Sequence, residues 1–349
     1  MSLTAPFTLS GTAVPHDARQ MLDQICEHFT EHANVSRVDD IVVMKNDSAT
    51  AEIRLTGERL LIDLASPSDQ ALQMARIMLA EHMFYFAGDN PLDLQWSAPA
   101  PLGTIANLHH VTVTGAQDIT PHMRRVRFSC TDPAPFLDGN MHVRVLIPPR
   151  DRQPVWPGIR DDGRISWPEG EDALVVRVYT IRKVDLQTGE VWIDFFQHPM
   201  PGVATPGADF ARDARPGDRI ALLGPGGGGR PEAQSLLLIG DETALPAILR
   251  ILEELPAGAT AEAIIEVMNA DEEQAVCSHG DVSIRWIHRQ TEGRTTALRE
   301  AAKQAIAASP ADRYIWIACE KDDVRALRPL LKGPEREKGR SYLAWYWER

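Results

Sequence analysis

The hexapeptide Arg177-Val178-Tyr179-Thr180-Ile181-Arg182 carries two guanidinium groups, a phenol and a hydroxyl on consecutive residues. On a β-strand the side chains of Arg177, Tyr179 and Ile181 share one face, and those of Val178, Thr180 and Arg182 the other. A flavin dinucleotide needs a flat aromatic or peptide wall, a hydroxyl or amide at its ring edge and a guanidinium against its pyrophosphate, and these residues supply all three. Standing alone, the same pattern equally describes an amphipathic strand with charged ends. Downstream, Asp194-Phe195-Phe196-Gln197-His198 closes a second strand, and a loop with Gly202, Ala204, Thr205 and Gly207 leads into a short helix at Asp209-Phe210-Ala211. Small residues let backbone amides approach a phosphate and a helix N-terminus adds partial positive charge, so this loop is a candidate pyrophosphate cradle, although a Gly/Pro turn between strands looks the same. A third cluster, Ile239-Gly240-Asp241-Glu242-Thr243-Ala244-Leu245-Pro246-Ala247-Ile248, takes an apolar strand through a glycine turn into a helix, where an α/β sheet binds a nucleotide. It lacks the G-x-G-x-x-G spacing. A second joint of this form lies at Trp316-Ile317-Ala318-Cys319-Glu320.

Positioning these clusters calls for a multidomain α/β and β protein, with domains at residues 1–100, 101–230 and 231–349. In the first, Ala18, Met21, Leu22, Ile25 and Phe29 recur at helical spacing after Pro15. Three β-rich runs follow at Ile41–Met44, Ala51–Leu55 and Leu60–Leu64, and Ser66 with Pro67 opens a second helix bearing Leu72, Met78, Leu79 and Phe86. That is a small α+β domain. After the linker Ser97–Leu102, six strand-like runs (Val111–Thr114, Arg125–Phe128, Val143–Ile147, Leu174–Thr180, Val191–Phe196 and Arg219–Leu223) predict an antiparallel β-barrel. Pro148–Asp172, heavy in Pro, Gly and Asp, reads as a long surface loop within it. From Ser235 strands and helices alternate, which predicts a parallel sheet in a C-terminal α/β domain.

Composition narrows the function. An apolar share of 44% with 24% charged residues describes an ordinary globular protein, and no run approaches the roughly 20 uncharged residues of a membrane span. The start, MSLTAPFTLSGTAV, lacks the basic and apolar regions of a signal peptide, so a cytoplasmic protein is expected. Cys26, Cys130, Cys277 and Cys319 are far apart, with no metal-ligand spacing, and read as reduced thiols. No metal site is expected, His28 and His82 being read as solvated helix histidines rather than ligands. A net charge of −13 argues against nucleic acid or anionic membrane as partner. A monomer is expected.

Taken in order, these segments resemble the siderophore-interacting protein family of NAD(P)H-dependent ferric siderophore reductases, a branch of the ferredoxin-reductase-like flavoproteins. The likeness covers roughly residues 105–349 and is carried by R-x-Y-T-x-R at Arg177–Arg182, D-F-x-x-H ending at His198, G-D-E-T-A-L-P-A-I at Gly240–Ile248, A-x-E at Ala318–Glu320, and Tyr346-Trp347. The resemblance implies an FAD-binding barrel and an NAD(P)-binding α/β domain. It implies that Arg177, Tyr179, Thr180 and Arg182 hold FAD, with His198, Gly202, Ala204 and Thr205 near its phosphates. Asp241, Glu242, Thr243 and Pro246 would face NADPH or NADH, and Glu320, Tyr346 and Trp347 would close the flavin site. Three departures stand out: Cys319 and Trp345 occupy positions where the family has glycine, which would narrow the nicotinamide or chelate site, and Pro199-Met200-Pro201-Gly202 replaces the usual His-Gly-acidic run. Residues 15–97 resemble a domain of unknown function sometimes fused ahead of this family, through His16, the Cys26-x-His28-Phe29 step, His82-x-x-x-Phe86 and Trp96.

The function implied is electron transfer from NAD(P)H through FAD to a ferric siderophore. Ferric iron is bound tightly by hard oxygen ligands and ferrous iron weakly, so reduction releases the metal as Fe(II). The cofactor carries that chemistry, and no side chain is expected to act as general acid or base. An anionic chelate needs a local positive field, for which Arg325, Arg328, Lys332, Arg336, Lys338 and Arg340, against Glu335 and Glu337, are the candidates; a solvated helix end with complementary charge reads the same way. Arg124, Arg125 and Arg127 form a second candidate patch. A flavin reductase or diaphorase with another acceptor, and a non-catalytic ferric-siderophore-binding protein, are the alternatives.

Overall fold

The computed structural model describes residues 7–31, 33–101, 105–137, 139–198, 202, 204–289, 296–332 and 339–348. The chain forms two compact units, Met1–Leu108 with Pro149–Leu174, and His109–Pro148 with Val175–Arg349.

In the first unit, strands β1 (Phe7–Pro15), β2 (Asn34–Val38), β3 (Ile41–Lys45), β4 (Thr50–Thr56), β5 (Arg59–Ser66) and β6 (Leu92–Trp96) make one sheet in the order β2-β3-β4-β5-β1-β6. Helices α1 (Ala18–His28) and α2 (Asp69–Ala87) pack on it. Alternation along β5 turns Leu60, Ile62 and Leu64 into a core shared with Leu22 and Ile25 of α1 and Leu72, Leu79 and Met83 of α2. The sequence signals only three of these strands. In β1 the apolar alternation is hidden by Gly11, which lies under the Trp96 ring of β6: a Cβ there would come within 2.8 Å of the indole. Helix α2 starts two residues later than Ser66 suggests. Ser66 ends β5 and donates its hydroxyl to the Ser48 carbonyl, while Ser68 caps the helix by accepting from the Ala71 amide.

The second unit opens with β7 (Leu108–Thr120), β8 (Met123–Cys130) and β9 (Asn140–Ile147). The connection that follows does not stay with these strands as a surface loop. It forms a small ribbon of β10 (Gly158–Ile159) and β11 (Ile165–Ser166) and belongs to the first unit. The barrel resumes with β12 (Val175–Asp185), β13 (Glu190–Phe196), helix α3 (Pro206–Asp213) and β14 (Arg219–Gly229), closing in the order β12-β13-β8-β7-β14-β9. Its interior is filled by Val113, Val126, Phe128, Val143, Val145, Ile181, Ile193, Phe195 and Leu222.

An α/β lobe completes this unit: β15 (Ser235–Gly240), α4 (Leu245–Glu253), β16 (Thr260–Val267), β17 (Asp281–His288), α5 (Ala297–Ala308), β18 (Tyr314–Glu320), α6 (Lys321–Leu327) and β19 (Ser341–Trp347). All its strands run parallel, in the order β17-β16-β15-β18-β19. Barrel and lobe meet along a polar seam. Arg182 of β12 makes two hydrogen bonds, 2.6 and 2.7 Å, to the Glu253 carboxylate of α4. Arg250 of α4 donates to the carbonyls of Ile181, Phe136 and Leu137 and to Glu254. Buried Glu272 accepts from the Thr120 hydroxyl, the His122 amide and the His122 ring. Among the described residues no helix is long and apolar enough to cross a membrane.

Candidate functional site

Strand β12 carries the residues that the resemblance assigns to FAD. Tyr179 is half-buried, with its ring centroid 4.3 Å from that of Phe195 and its hydroxyl against Gly207 in the first turn of α3. A Cβ on residue 207 would lie 1.9 Å from that oxygen, so only glycine lets α3 approach the phenol. Burial pushes the Tyr179 hydroxyl up to about 12, which keeps it neutral. Arg177 is exposed, and the hydrogen bond described for its guanidinium goes to the neighbouring Val176 carbonyl, 2.8 Å away. Thr180 stands opposite His142 in the β12–β9 register, with its hydroxyl 3.3 Å from His142 Nδ1. The other ring nitrogen of His142 lies 3.0 Å from the Tyr346 hydroxyl of β19. Burial, aided by the Arg250 charge, pulls His142 down to about 4, so the imidazole is neutral at pH 7. Thr180, His142 and Tyr346 thus form a hydrogen-bonded chain from barrel to lobe.

Tyr346 is followed by Trp347, whose indole N–H donates to Asp241 at 2.8 Å. Asp241 also accepts from the Thr243 amide at 2.9 Å and the Thr243 hydroxyl at 2.5 Å. Burial raises its pKa, and these donors only partly oppose that rise. The turn itself requires Gly240, whose Cβ would sit 2.6 Å from that of Ala244 and 2.8 Å from the Ala318 carbonyl. Glu242 is buried and engaged by both terminal nitrogens of Arg289, a residue that also reaches Glu266. Pro246 is buried in the first turn of α4. Glu320 caps α6 through the amides of Asp322, 2.8 Å, and Asp323, 3.4 Å.

The remaining predicted residues are spread more widely. Arg182 is drawn onto Glu253 of α4 rather than left open to a ligand phosphate. His198 is exposed, its ring 5.5 Å from that of Phe196. Gly202 takes a positive φ of 78° and Ala204 is exposed. Thr205 gives its amide and hydroxyl to Asp209, so a carboxylate already occupies the first turn of α3. Cys319 does not narrow the site: it is buried with Ile317, Leu298 and Val324 in the core beneath α5 and α6, where burial pushes its thiol up. Trp345 is 51% exposed, below the Lys321 ammonium. Arg325, Arg328 and Lys332 are exposed, Arg340 is half-buried, and Arg336 and Lys338 lie outside the described residues. In the second patch two of the three arginines are engaged, while Arg127 is half-buried with its Nε unpartnered among the described residues. Arg125 forms two 2.7 Å bonds to buried Asp194, and Arg124 reaches the Ala211 carbonyl and Asp118.

Sequence reasoning missed His142, Arg250 and Arg289, and it named Trp316 only as part of a strand-to-helix joint. His142 sits in the run Met141-His142-Val143-Arg144-Val145, where a lone histidine in a strand gives no signal until pairing sets it against Thr180. Trp316, fully buried, meets Tyr346 edge-on at 6.2 Å and stacks on Tyr342.

A half-buried phenol wall, a hydroxyl beside it, an exposed guanidinium on the same strand and a glycine that brings a helix start against the phenol fit a flavin dinucleotide. Joined to a nucleotide turn on a parallel sheet, they define the class: a two-lobed flavoprotein with an FAD-binding barrel. Residues 112–229 match the family model for the siderophore-interacting FAD-binding domain, and 233–349 that for the siderophore-interacting protein. Residues 11–97 match the model of an uncharacterized protein conserved in bacteria, DUF2218. The chain belongs to the siderophore-interacting protein family. It is 30% identical over 215 residues to the ferric vibriobactin reductase ViuB of Vibrio cholerae serotype O1, covering 60% of this chain and 76% of that one. Among solved structures, a siderophore utilization protein from T. fusca is 34% identical with a TM-score of 0.60, covering 69% of this chain and 93% of that one. The siderophore-interacting protein SipS from Aeromonas hydrophila is 26% identical with a TM-score of 0.57, covering 69% and 92%.

Proposed function

We propose that this protein passes electrons from NADH or NADPH through FAD to a ferric siderophore and releases the iron as Fe(II). The observation that carries the reading is the dipeptide Tyr346-Trp347: Tyr346 reaches the flavin strand through His142 and Thr180, and Trp347 holds the nucleotide turn at Asp241. One pair of residues therefore ties the two cofactor surfaces together. The relative named ferric vibriobactin reductase supports the substrate class.

FAD bound at β12 supplies the conversion of a two-electron hydride donor into single-electron delivery to iron. The chain's part is placement. Tyr179 would offer its ring as a wall, Arg177 would pair with phosphate, and Thr180, held by His142, would present its hydroxyl to the ring edge. His198, Gly202, Ala204 and Thr205 line the route to α3. Asp241, Glu242, Thr243 and Pro246 shape the nicotinamide turn, the two carboxylates acting through the Trp347 and Arg289 they hold. Glu320 fixes the neighbouring turn by capping α6. Arg325, Arg328, Lys332 and Arg340, joined in sequence by Arg336 and Lys338, draw the anionic chelate. Release follows from the weaker hold of oxygen ligands on ferrous iron. A cytoplasmic setting, where reduced nicotinamide is at hand, agrees with four free cysteines.

The test is an anaerobic absorbance titration of the purified yellow protein. NADH or NADPH should bleach the flavin bands, and a ferric siderophore with a ferrous trap should restore them while the trap colours stoichiometrically. Flavin bleached by neither nicotinamide, or left bleached by the ferric chelate, would sink the proposal.

A further inference from the structure

The N-terminal unit takes no part in the chemistry above, yet it grips a segment of chain that leads into the flavin strand. Residues 149–174 leave the barrel after β9 and return at Val175, two positions before Arg177. Between those points a tight turn, closed by Arg160 N–H to the Arg164 carbonyl at 2.8 Å and Gly163 N–H to the Arg160 carbonyl at 2.9 Å, packs on α2 and β6.

The grip is specific. Trp96 of β6 donates its indole N–H to the Asp162 carbonyl at 2.9 Å, and Arg76 of α2 donates to the Asp161 carbonyl at 3.1 Å. Glu81 accepts the Ile165 amide at 2.7 Å, and the Arg164 guanidinium, held by Asp162, lies 3.5 Å above the Phe84 ring. Gly163 has φ +93°, and a Cβ there would meet the Trp96 indole nitrogen at 2.9 Å and Ala80 and Arg76 at 3.3 Å, so the turn fits only with glycine. Arg76, Ala80 and Phe84 follow helical spacing, which gives α2 a second contact face besides the one it turns to the sheet. A connection of this length would ordinarily be mobile. Here it is held by side chains from two elements of a folded unit.

We propose that the N-terminal unit is an intramolecular clamp: by gripping Arg160–Ile165 it fixes the segment entering β12 and thereby positions Arg177, Tyr179 and Thr180 for FAD. The positioning half rests on the assignment of FAD to β12; the grip does not. Glu81→Ala combined with Arg164→Ala in the full chain removes two holds on half-buried polar side chains without opening the core. Amide hydrogen exchange across residues 158–166 should accelerate about tenfold, and the FAD dissociation constant, read by flavin fluorescence, should rise about threefold or more. Gly163→Val, which forces the turn off its seat, should do both more strongly, with circular dichroism checking that the sheet persists. Unchanged exchange in the double variant overturns the clamp. Faster exchange with wild-type FAD affinity, while Arg177→Ala weakens FAD, overturns the positioning role. Wild-type FAD affinity in Arg177→Ala itself overturns the β12 assignment instead, and exchange still judges the grip.

Discussion

Two buried arginines do comparable work in different units, and they are satisfied to different degrees. Arg250, 3% exposed at the barrel–lobe seam, donates to three main-chain carbonyls and to Glu254. Arg76, 0% exposed under the gripped turn, has one hydrogen bond to the Asp161 carbonyl, and its Nε and one terminal nitrogen have no partner among the described residues. Burial lowers the Arg76 pKa, opposed by the charges of Asp161 and Asp162, and its guanidinium carbon lies 5.4 Å from the Trp96 ring centroid. An unsatisfied buried donor costs about 1–3 kcal/mol, so the second arrangement gives up much of what the first retains. The contrast teaches that the seam is built as a permanent joint, whereas the grip on the turn is held by a narrower margin.

The comparison breaks most directly at Arg250. Arg250→Met leaves three main-chain carbonyls, two of them buried, without their donor and should cost about 3–5 kcal/mol in urea unfolding; a loss under about 1 kcal/mol would remove the distinction. Next in size is a pH effect on the same seam. His142 titrates near 4 in the folded protein against 6.5 for the free side chain, so its contribution is complete above pH 6.5 and is lost as pH falls toward 4, by up to about 3 kcal/mol. His142→Gln should flatten that part of the stability profile relative to the parent, a subtraction that cancels the opposite slope expected from Asp241, whose pKa burial raises. Glu253→Gln weakens the paired bonds to Arg182 and should cost about 1–2 kcal/mol. The smallest effect sharpens the other side: Arg76→Met removes a poorly satisfied cation and should change stability by less than about 1 kcal/mol in either direction, which thermal unfolding will show.

The sequence conveyed the architecture through periodicity. Runs such as Leu60-Leu61-Ile62-Asp63-Leu64 and the alternation of strand and helix after Ser235 reflect burial, which a linear pattern records. Strand β1 escaped because Gly11 must be small beneath Trp96, and β19 because Tyr346-Trp347, with Trp345 before it, read as a motif before they read as a strand. For the candidate site, Arg177, Tyr179, Thr180, Asp241 and Tyr346-Trp347 were visible as types and order. Their connection was not, since it runs through His142, which becomes a partner only when β9 pairs with β12. Arg182 looked like a ligand group because its charge was legible and Glu253, far along the chain, was not yet beside it.

The threading of residues 149–174 into the first unit bears on how such a protein can be dissected. A gene cut near residue 100 would yield a front piece whose Arg76 and Trp96 face solvent instead of the Asp161 and Asp162 carbonyls, and a back piece trailing a β10–β11 ribbon with nothing beneath it. Anyone borrowing the reductase half for another host has to excise two stretches together, and shortening only one leaves exposed surface on the other.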